Sequence, residues 1–311
     1  MRRSILILLA ALVAAGSFGL AGPPAARADD LLCSTFPVYL FTRNIVQGRD
    51  HFQPELMIDS ALGCPHDYAP TPADLERLSQ AQALVINGLG LEGFLGQALK
   101  VARPDLQIVD ASGGQAGAII IDKKAAAALS AGHDLPGGPN PHLFASPGTA
   151  ALLVNNIAEG LSRLDPEGRE IYQANAARLS GDLTALAGQM GTIGEKLGRP
   201  KVITGHSIFE YLAADLGLTI VATIEEEDGA APTAGRLAEL TRLARREGVR
   251  AVLTDPEGNL NLARTLGAEA KVKVAVIDPV SGGPRDAPLD YYQKVMLTDL
   301  EILIKLFAPG P

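Results

Sequence analysis

Short apolar runs alternate with longer amphipathic stretches along most of the chain. In the first half the runs are LLCSTF (31–36), FQPELMI (52–58), ALVIN (83–87) and LQIVD (106–110). In the second half they are KVITG (201–205), LTIVATI (218–224), VRAVLTD (249–255) and VKVAVID (272–278). Runs of this length, rich in Val, Ile and Leu, read as buried strands. Between them lie helical patterns: PVYLFTRNIV, LEGFLGQALKVA, SIFEYLAADLG, TAGRLAELTRLARREG, NLARTLGAEA and the final DYYQKVMLTDLEILIKLF. Thr71-Pro72-Ala73-Asp74 opens a further helix. Thr71 suits the N-cap, Pro72 the first turn, and Asp74 the third position of a capping box. Such β–α alternation predicts an α/β fold of mostly parallel sheets flanked by helices.

The middle of the chain breaks this rhythm. Residues 111–141 are rich in Gly, Ala and Pro and read as an extended surface connection. Pro147 to Leu164 then shows helical spacing at Leu152, Leu153, Ile157 and Leu161. Asp165-Pro166 starts another helix, running to about Lys196. At roughly 30 residues it spans about 45 Å, enough for a rigid strut. The expected organisation is therefore an N-terminal lobe over 29–164, a linking helix over 165–197 and a C-terminal lobe over 198–311.

Residues 1–28 read as a secretory signal peptide, with Arg2 and Arg3 before the apolar run Ile5 to Val13 and cleavage after Ala28. An exported, soluble, monomeric protein is expected. The chain holds 27 basic and 35 acidic residues, a net charge of −8, and removing Arg2, Arg3 and Arg27 takes it to −11. No basic run interleaved with aromatics exists, so nucleic-acid binding is not expected. The two cysteines, Cys33 and Cys64, admit three readings: a disulfide, buried thiols, or a thiolate ligand from Cys64.

Candidate chemistry concentrates in four stretches. Three carry histidines: GCPHDYAP around His66, GPNPHLFASP around His142 and VITGHSIFEY around His206. The fourth is VKVAVIDPVSGG around Asp278. Only His51 and His133 lie elsewhere, in polar surroundings expected at the surface. Three imidazoles and a carboxylate suit a borderline divalent metal such as zinc. His206 and Asp278 end strands, where ligand groups gather in open α/β sheets. Each stretch also has a plainer explanation: a solvated loop histidine for His66 and His142, a turn cap for Asp278. Asp255, ending VRAVLTD, is a rival fourth ligand or a carboxylate holding a ligand imidazole. The acidic run Glu225 to Asp228 reads first as a solvated loop. No H-E-x-x-H, G-x-S-x-G, phosphate-binding loop or dinucleotide fingerprint occurs.

These stretches together resemble the solute-binding proteins of zinc and manganese ABC transporters. STFPVYLFTRNIVQG is similar to that family's opening strand and helix. CPHDYAPTPADLERLSQAQALVINGLGLEGFL, PNPHLFASP, GHSIFEYLAADLGL and VAVIDPVSGG are similar to its four ligand motifs. The resemblance covers nearly all of the chain after the leader. It implies that His66, His142, His206 and Asp278 bind the metal between two lobes joined by one long helix. It implies capture of zinc, with Mn2+ or Fe2+ as alternatives, in the periplasm. It further implies delivery to a membrane permease with its ATPase, and no enzymatic activity. Two departures stand out: Cys64 occupies a place where Asp or a small residue is common, and Asn140 one where Asp is common. The His-rich loop of many zinc-specific members is absent, and three imidazoles favour zinc over manganese. Rival readings are a surface adhesin of the same fold, and a metal-dependent hydrolase with Asp255 or Glu227 as base.

Overall fold

The computed structural model describes residues 29–58, 68–113, 139–225 and 232–308. The leader, His66, Cys64, His133, Glu226 to Asp228 and most of the 111–141 connection lie outside the described residues.

Two four-stranded parallel sheets form the frame. The first holds β1 (Asp29–Cys33), β2 (Phe52–Leu56), β3 (Ala83–Ile86) and β4 (Gln107–Asp110), in the order β2-β1-β3-β4. The second holds β5 (Lys201–Thr204), β6 (Thr219–Thr223), β7 (Ala251–Thr254) and β8 (Lys273–Val276), in the order β6-β5-β7-β8. The halves thus share one topology. In each, the first strand's two neighbours are reached by crossovers in opposite directions. That reversal opens a crevice beyond the carboxyl ends of β1 and β3, and of β5 and β7. The middle residues of the central strands are apolar because helices cover both faces. Leu31, Leu32, Leu84, Val85, Val202, Ile203 and Val252 are fully or almost fully buried.

The helices are α1 (Phe36–Ile45), α2 (Pro72–Gln80), α3 (Leu95–Ala98), α4 (Pro147–Leu164), α5 (Arg169–Leu197), α6 (Glu210–Leu216), α7 (Ala234–Glu247), α8 (Leu260–Ala270) and α9 (Tyr291–Phe307). Among the described residues none is long and apolar enough to cross a membrane. The expected capping box forms at α2: the Thr71 side chain accepts from the Asp74 N–H, and Asp74 accepts from the Thr71 N–H. The helix expected over 91–102 shrinks to Leu95–Ala98. Its approach is turned by Gly88, Leu89 and Gly90, all at positive φ, which no helix accommodates. The strut is 29 residues of α5, preceded by a short 3-10 turn, Pro166–Gly168. Its left-handed C-cap is Gly198.

One apolar core runs through both halves. It includes Phe36 and Phe41 of α1, Leu183 and Met190 of α5, Tyr211 of α6, and Tyr292 and Phe307 of α9. The C-terminal helix thereby packs on the first: Phe36 meets Tyr291 edge-on at 5.7 Å, and Phe41 meets Tyr292 at 5.2 Å. Polar ties run alongside. Arg43 donates to Ala287 O at 2.7 Å, Tyr39 to Arg285 O at 2.9 Å, and Asn44 to Leu289 O at 3.0 Å. Helix α5 meets α6 so closely that a Cβ at Gly194 would run into the Leu216 carbonyl.

Where the two long helices meet, Arg49 grips buried Asp165 with two hydrogen bonds of 2.8 Å, and the Tyr172 hydroxyl donates to the same carboxylate at 2.7 Å. The guanidinium foremost, with the tyrosine, holds the Asp165 carboxyl down to about 2. A depressed folded-state value contributes stability above the unfolded value near 4 and loses it as pH falls through about 2. Asp165→Asn is therefore expected to flatten the loss of stability between pH 4 and pH 2, read by urea unfolding at stepped pH. A second expectation concerns α5. Gly194→Ala lowers stability by about 1–3 kcal/mol through overpacking. Gly188→Ala, on the exposed face with nothing within 4 Å, raises it by about 0.5–1 kcal/mol. Equal effects at the two glycines would contradict the α5–α6 contact.

Candidate metal site

The C-terminal crevice carries two polar side chains at its mouth. Strand β5 ends at Thr204, and Gly205 and His206 follow directly. Gly205 N–H continues the ladder to Leu253 O at 2.8 Å, so His206 leaves the sheet beside β7. Asp255 is the first residue past β7 and is 5% exposed. Its Oδ1 stands 3.4 Å from His206 Nδ1 and has no partner at ordinary hydrogen-bond distance. A buried carboxylate oxygen so placed invites an N–H from that imidazole. Gly258 lets the backbone close around Asp255; a Cβ there would meet Asp255 Oδ1 at 2.6 Å.

His142 comes from the other side, at the N-cap of a 3-10 turn, Leu143–Ala145, ahead of α4. It is 2% exposed, and its ring lies 5.8 Å from that of His206, nearly perpendicular. One side chain from the first sheet and one within its own loop hold it. Asn87, just past β3, donates through Nδ2 to Pro141 O at 2.8 Å. Asn140 Oδ1 meets both the His142 backbone N at 2.9 Å and its ring Nδ1 at 2.8 Å.

The N-terminal crevice is filled differently. Glu92, 8% exposed, accepts from Ser34 Oγ at 2.7 Å, Asn87 N at 2.7 Å and Gly88 N at 3.1 Å. Burial pushes its carboxyl up, and those three donors pull it back. Ser34 follows β1 and Asn87 follows β3, so the chain's own carboxylate sits where its twin lobe presents His206 and Asp255.

Asp278 lies two residues beyond β8, not at its end. Ile277 N–H still bonds to Thr254 O at 2.8 Å, but Asp278 N–H turns away to Asp299 Oδ2 at 3.0 Å, and Pro279 has no N–H to continue the ladder. The Asp278 carboxylate accepts from Val280 N at 2.8 Å. Burial raises it first, and the charge of Asp255 raises it further, so the two carboxylates share one field. Asp299 beneath it is pushed up to about 8, mainly by burial. A groove of about 530 Å³ between β8 and α9 is lined in part by Asp278 and by none of the described histidines.

The structure thus brings His142 to His206, His206 to Asp255, and Asp255 into the field of Asp278. Among the described residues, no three His, Cys, Asp or Glu side chains stand close enough to grip one ion. His66 falls outside the described residues, though the chain is fixed on either side of its segment. Arg77 donates to Leu56 O and Met57 O at 2.9 and 2.6 Å, and the Tyr68 hydroxyl bonds to Asp74. Cys33 is a free, fully buried thiol, raised to about 12 by burial. Glu225 is tied by its N–H to Gly205 O at 2.9 Å. His51, expected at the surface, is half-buried and packs edge-on against Phe52. Sequence reading singled out neither Asn87 nor Glu92, although both fall within the stretch that resembles the family's first signature; only the crowded glycines of GLGLEG (88–93) mark the turn that aims them.

Solved structures and curated sequences extend this picture. A crystal structure of ZnuA superposes with a TM-score of 0.73 at 26% identity, over 89% of this chain and 98% of that one. ZnuA of Bacillus subtilis (strain 168), a high-affinity zinc uptake system protein, is 28% identical over 86% of this chain and 84% of its own length. The zinc-binding protein AdcA of Streptococcus pyogenes serotype M18 is also 28% identical over 86% of this chain, which spans about half (54%) of AdcA. The family model described as "ZnuA: Zinc-uptake complex component A periplasmic" matches residues 31–306. The chain belongs to that family, whose members are solute-binding proteins and not enzymes.

Proposed function

We propose that this protein captures a divalent transition metal, zinc first, outside the cytoplasm and hands it to the permease of an ABC transporter. The observation that carries this reading is the facing pair His142 and His206, drawn from opposite lobes and each backed by an oxygen on the ring's Nδ1 side. Imidazoles oriented in that manner are typical of metal ligands. Asp278 supplies the carboxylate, and His66 the third imidazole from the segment between Ile58 and Tyr68. Asp255 serves as the carboxylate behind His206. With four protein ligands the coordination is closed, which suits capture and disfavours hydrolysis. Three imidazoles rank zinc above the harder manganese and iron(II) ions. The lobes run over 29–164 and 198–311 with 165–197 between them, residues 1–28 are the export signal, and the periplasm is the compartment.

Competitive titration of the metal-stripped protein with Zn2+, Mn2+ and Fe2+ is expected to show one tight zinc site per chain. That site is largely lost in His142→Ala and His206→Ala. Failure of both variants to weaken zinc would remove the ligand assignment. Asp255→Asn is expected to weaken zinc about 10–100-fold with the fold intact, as for other groups that orient ligand histidines. Protons compete for the same ring nitrogens, so zinc affinity falls as pH drops through about 6.5. Affinity constant from pH 7.5 to 5 would contradict imidazole ligation.

A further inference from the structure

Asn140 is 8% exposed, and its side chain uses every hydrogen-bonding position it has. Nδ2 donates to Ser207 O at 2.8 Å and to Glu210 Oε2 at 2.9 Å. Oδ1 faces the His142 backbone N and ring Nδ1. The carbonyl of Asn140 accepts from the Tyr211 hydroxyl at 2.8 Å. An amide can be built two ways round, but a backbone N–H is always a donor. Turning this amide would set Nδ2 against the His142 N–H, and Oδ1 against a carbonyl and a carboxylate, so only one orientation satisfies all four contacts. The atom facing His142 Nδ1 is therefore an acceptor. Nδ1 must carry a proton, and in the neutral ring Nε2 then carries the lone pair.

The same amide spans the cleft. Ser207 and Glu210 immediately follow His206, in the 3-10 turn Ser207–Phe209 and at the first residue of α6. His142 and the run behind His206 are thus joined through one side chain. An aspartate here would keep the bond to His142 but face Ser207 O and the Glu210 carboxylate with a third acceptor, removing both Nδ2 donor bonds and setting two anions in contact.

We propose that Asn140 is a positioning residue of the metal site. Its amide fixes His142 in the tautomer that offers Nε2 to a metal, and ties that ring to the segment behind His206, so the two imidazoles are held as a pair before any ion arrives. The inference rests on the metal-capture reading above, and it assigns to the amide a role that an aspartate could not fill beside Glu210.

The test uses the metal-stripped protein and zinc ion alone. Long-range 1H–15N spectra at pH 8, with His142 assigned from His142→Gln, are expected to show a protonated Nδ1 and an unprotonated Nε2. Asn140→Leu is expected to shift the ring toward the Nε2–H tautomer and weaken zinc about 10–100-fold. Asn140→Asp keeps the Nδ1–H tautomer yet weakens zinc at least about tenfold, and adding Glu210→Gln restores most of that loss by returning a donor. An Nε2–H tautomer in the unaltered protein would overturn the proposal, as would Asn140→Asp binding zinc unchanged. Should Asn140→Leu not fold, the unaltered spectrum and the Asn140→Asp pair decide. If the unaltered protein binds no zinc, metal capture fails while the tautomer is still read independently.

Discussion

The core shared by α1, α5, α6 and α9 constrains everything else in this molecule. In many two-lobed binding folds the halves meet through loops and can swing apart. Here Phe36 and Phe41 of the first helix pack on Tyr291 and Tyr292 of the last, and Gly194 presses α5 against the Leu216 carbonyl. Buried apolar contact of this kind is worth about 1.5–3 kcal/mol for each large side chain removed from water. The Arg43, Tyr39 and Asn44 bonds to the carbonyls of residues 285–289 then fix the angle between lobes. His142 and His206 can face each other at 5.8 Å because the two frames that bear them are held at one separation.

The two crevices show how a repeated topology diverges in use. Both halves follow the same strand order, and both open a crevice at the same place. In the first, Glu92 ties Ser34, Asn87 and Gly88 together and so builds a solid platform under the Pro141 carbonyl. In the second, His206 and Asp255 stand at the mouth. One crevice supports the loop that bears one candidate ligand, and the other supplies a second candidate itself. The buried carboxylate of Glu92 fits the first role because three donors meet it; unsatisfied, it would carry a heavy desolvation penalty.

Much of this was legible from sequence, and the reasons differ by element. The strands announced themselves as apolar runs, and for the central β3 and β7 burial on both faces demands it. The long helix showed as an unbroken periodic stretch, and the Thr71–Asp74 box as a local motif with local physics. The helix over 91–102 misled, since Leu91 and Leu95 suggested periodicity while Gly88, Leu89 and Gly90 at positive φ turned the chain. Of the site, the residue types at His142 and His206 could be picked out, but not their facing geometry. Asn140 looked like a mere loss of charge. Its significance depends on Glu210, 70 residues away, and no local pattern records such a pairing. The place of Asp278 past its strand depended likewise on Asp299, which captures its N–H.

The shared core also bears on how fast anything bound between the lobes can leave. With the last helix buried against the first, wide opening would mean unpacking aromatic rings, a rare and slow event close to local unfolding. Loop and side-chain rearrangements run orders of magnitude faster, on nanosecond to microsecond scales. The residence time of anything held between the lobes would therefore be governed by the rate at which individual side chains let go, and not by the rate at which one half swings from the other.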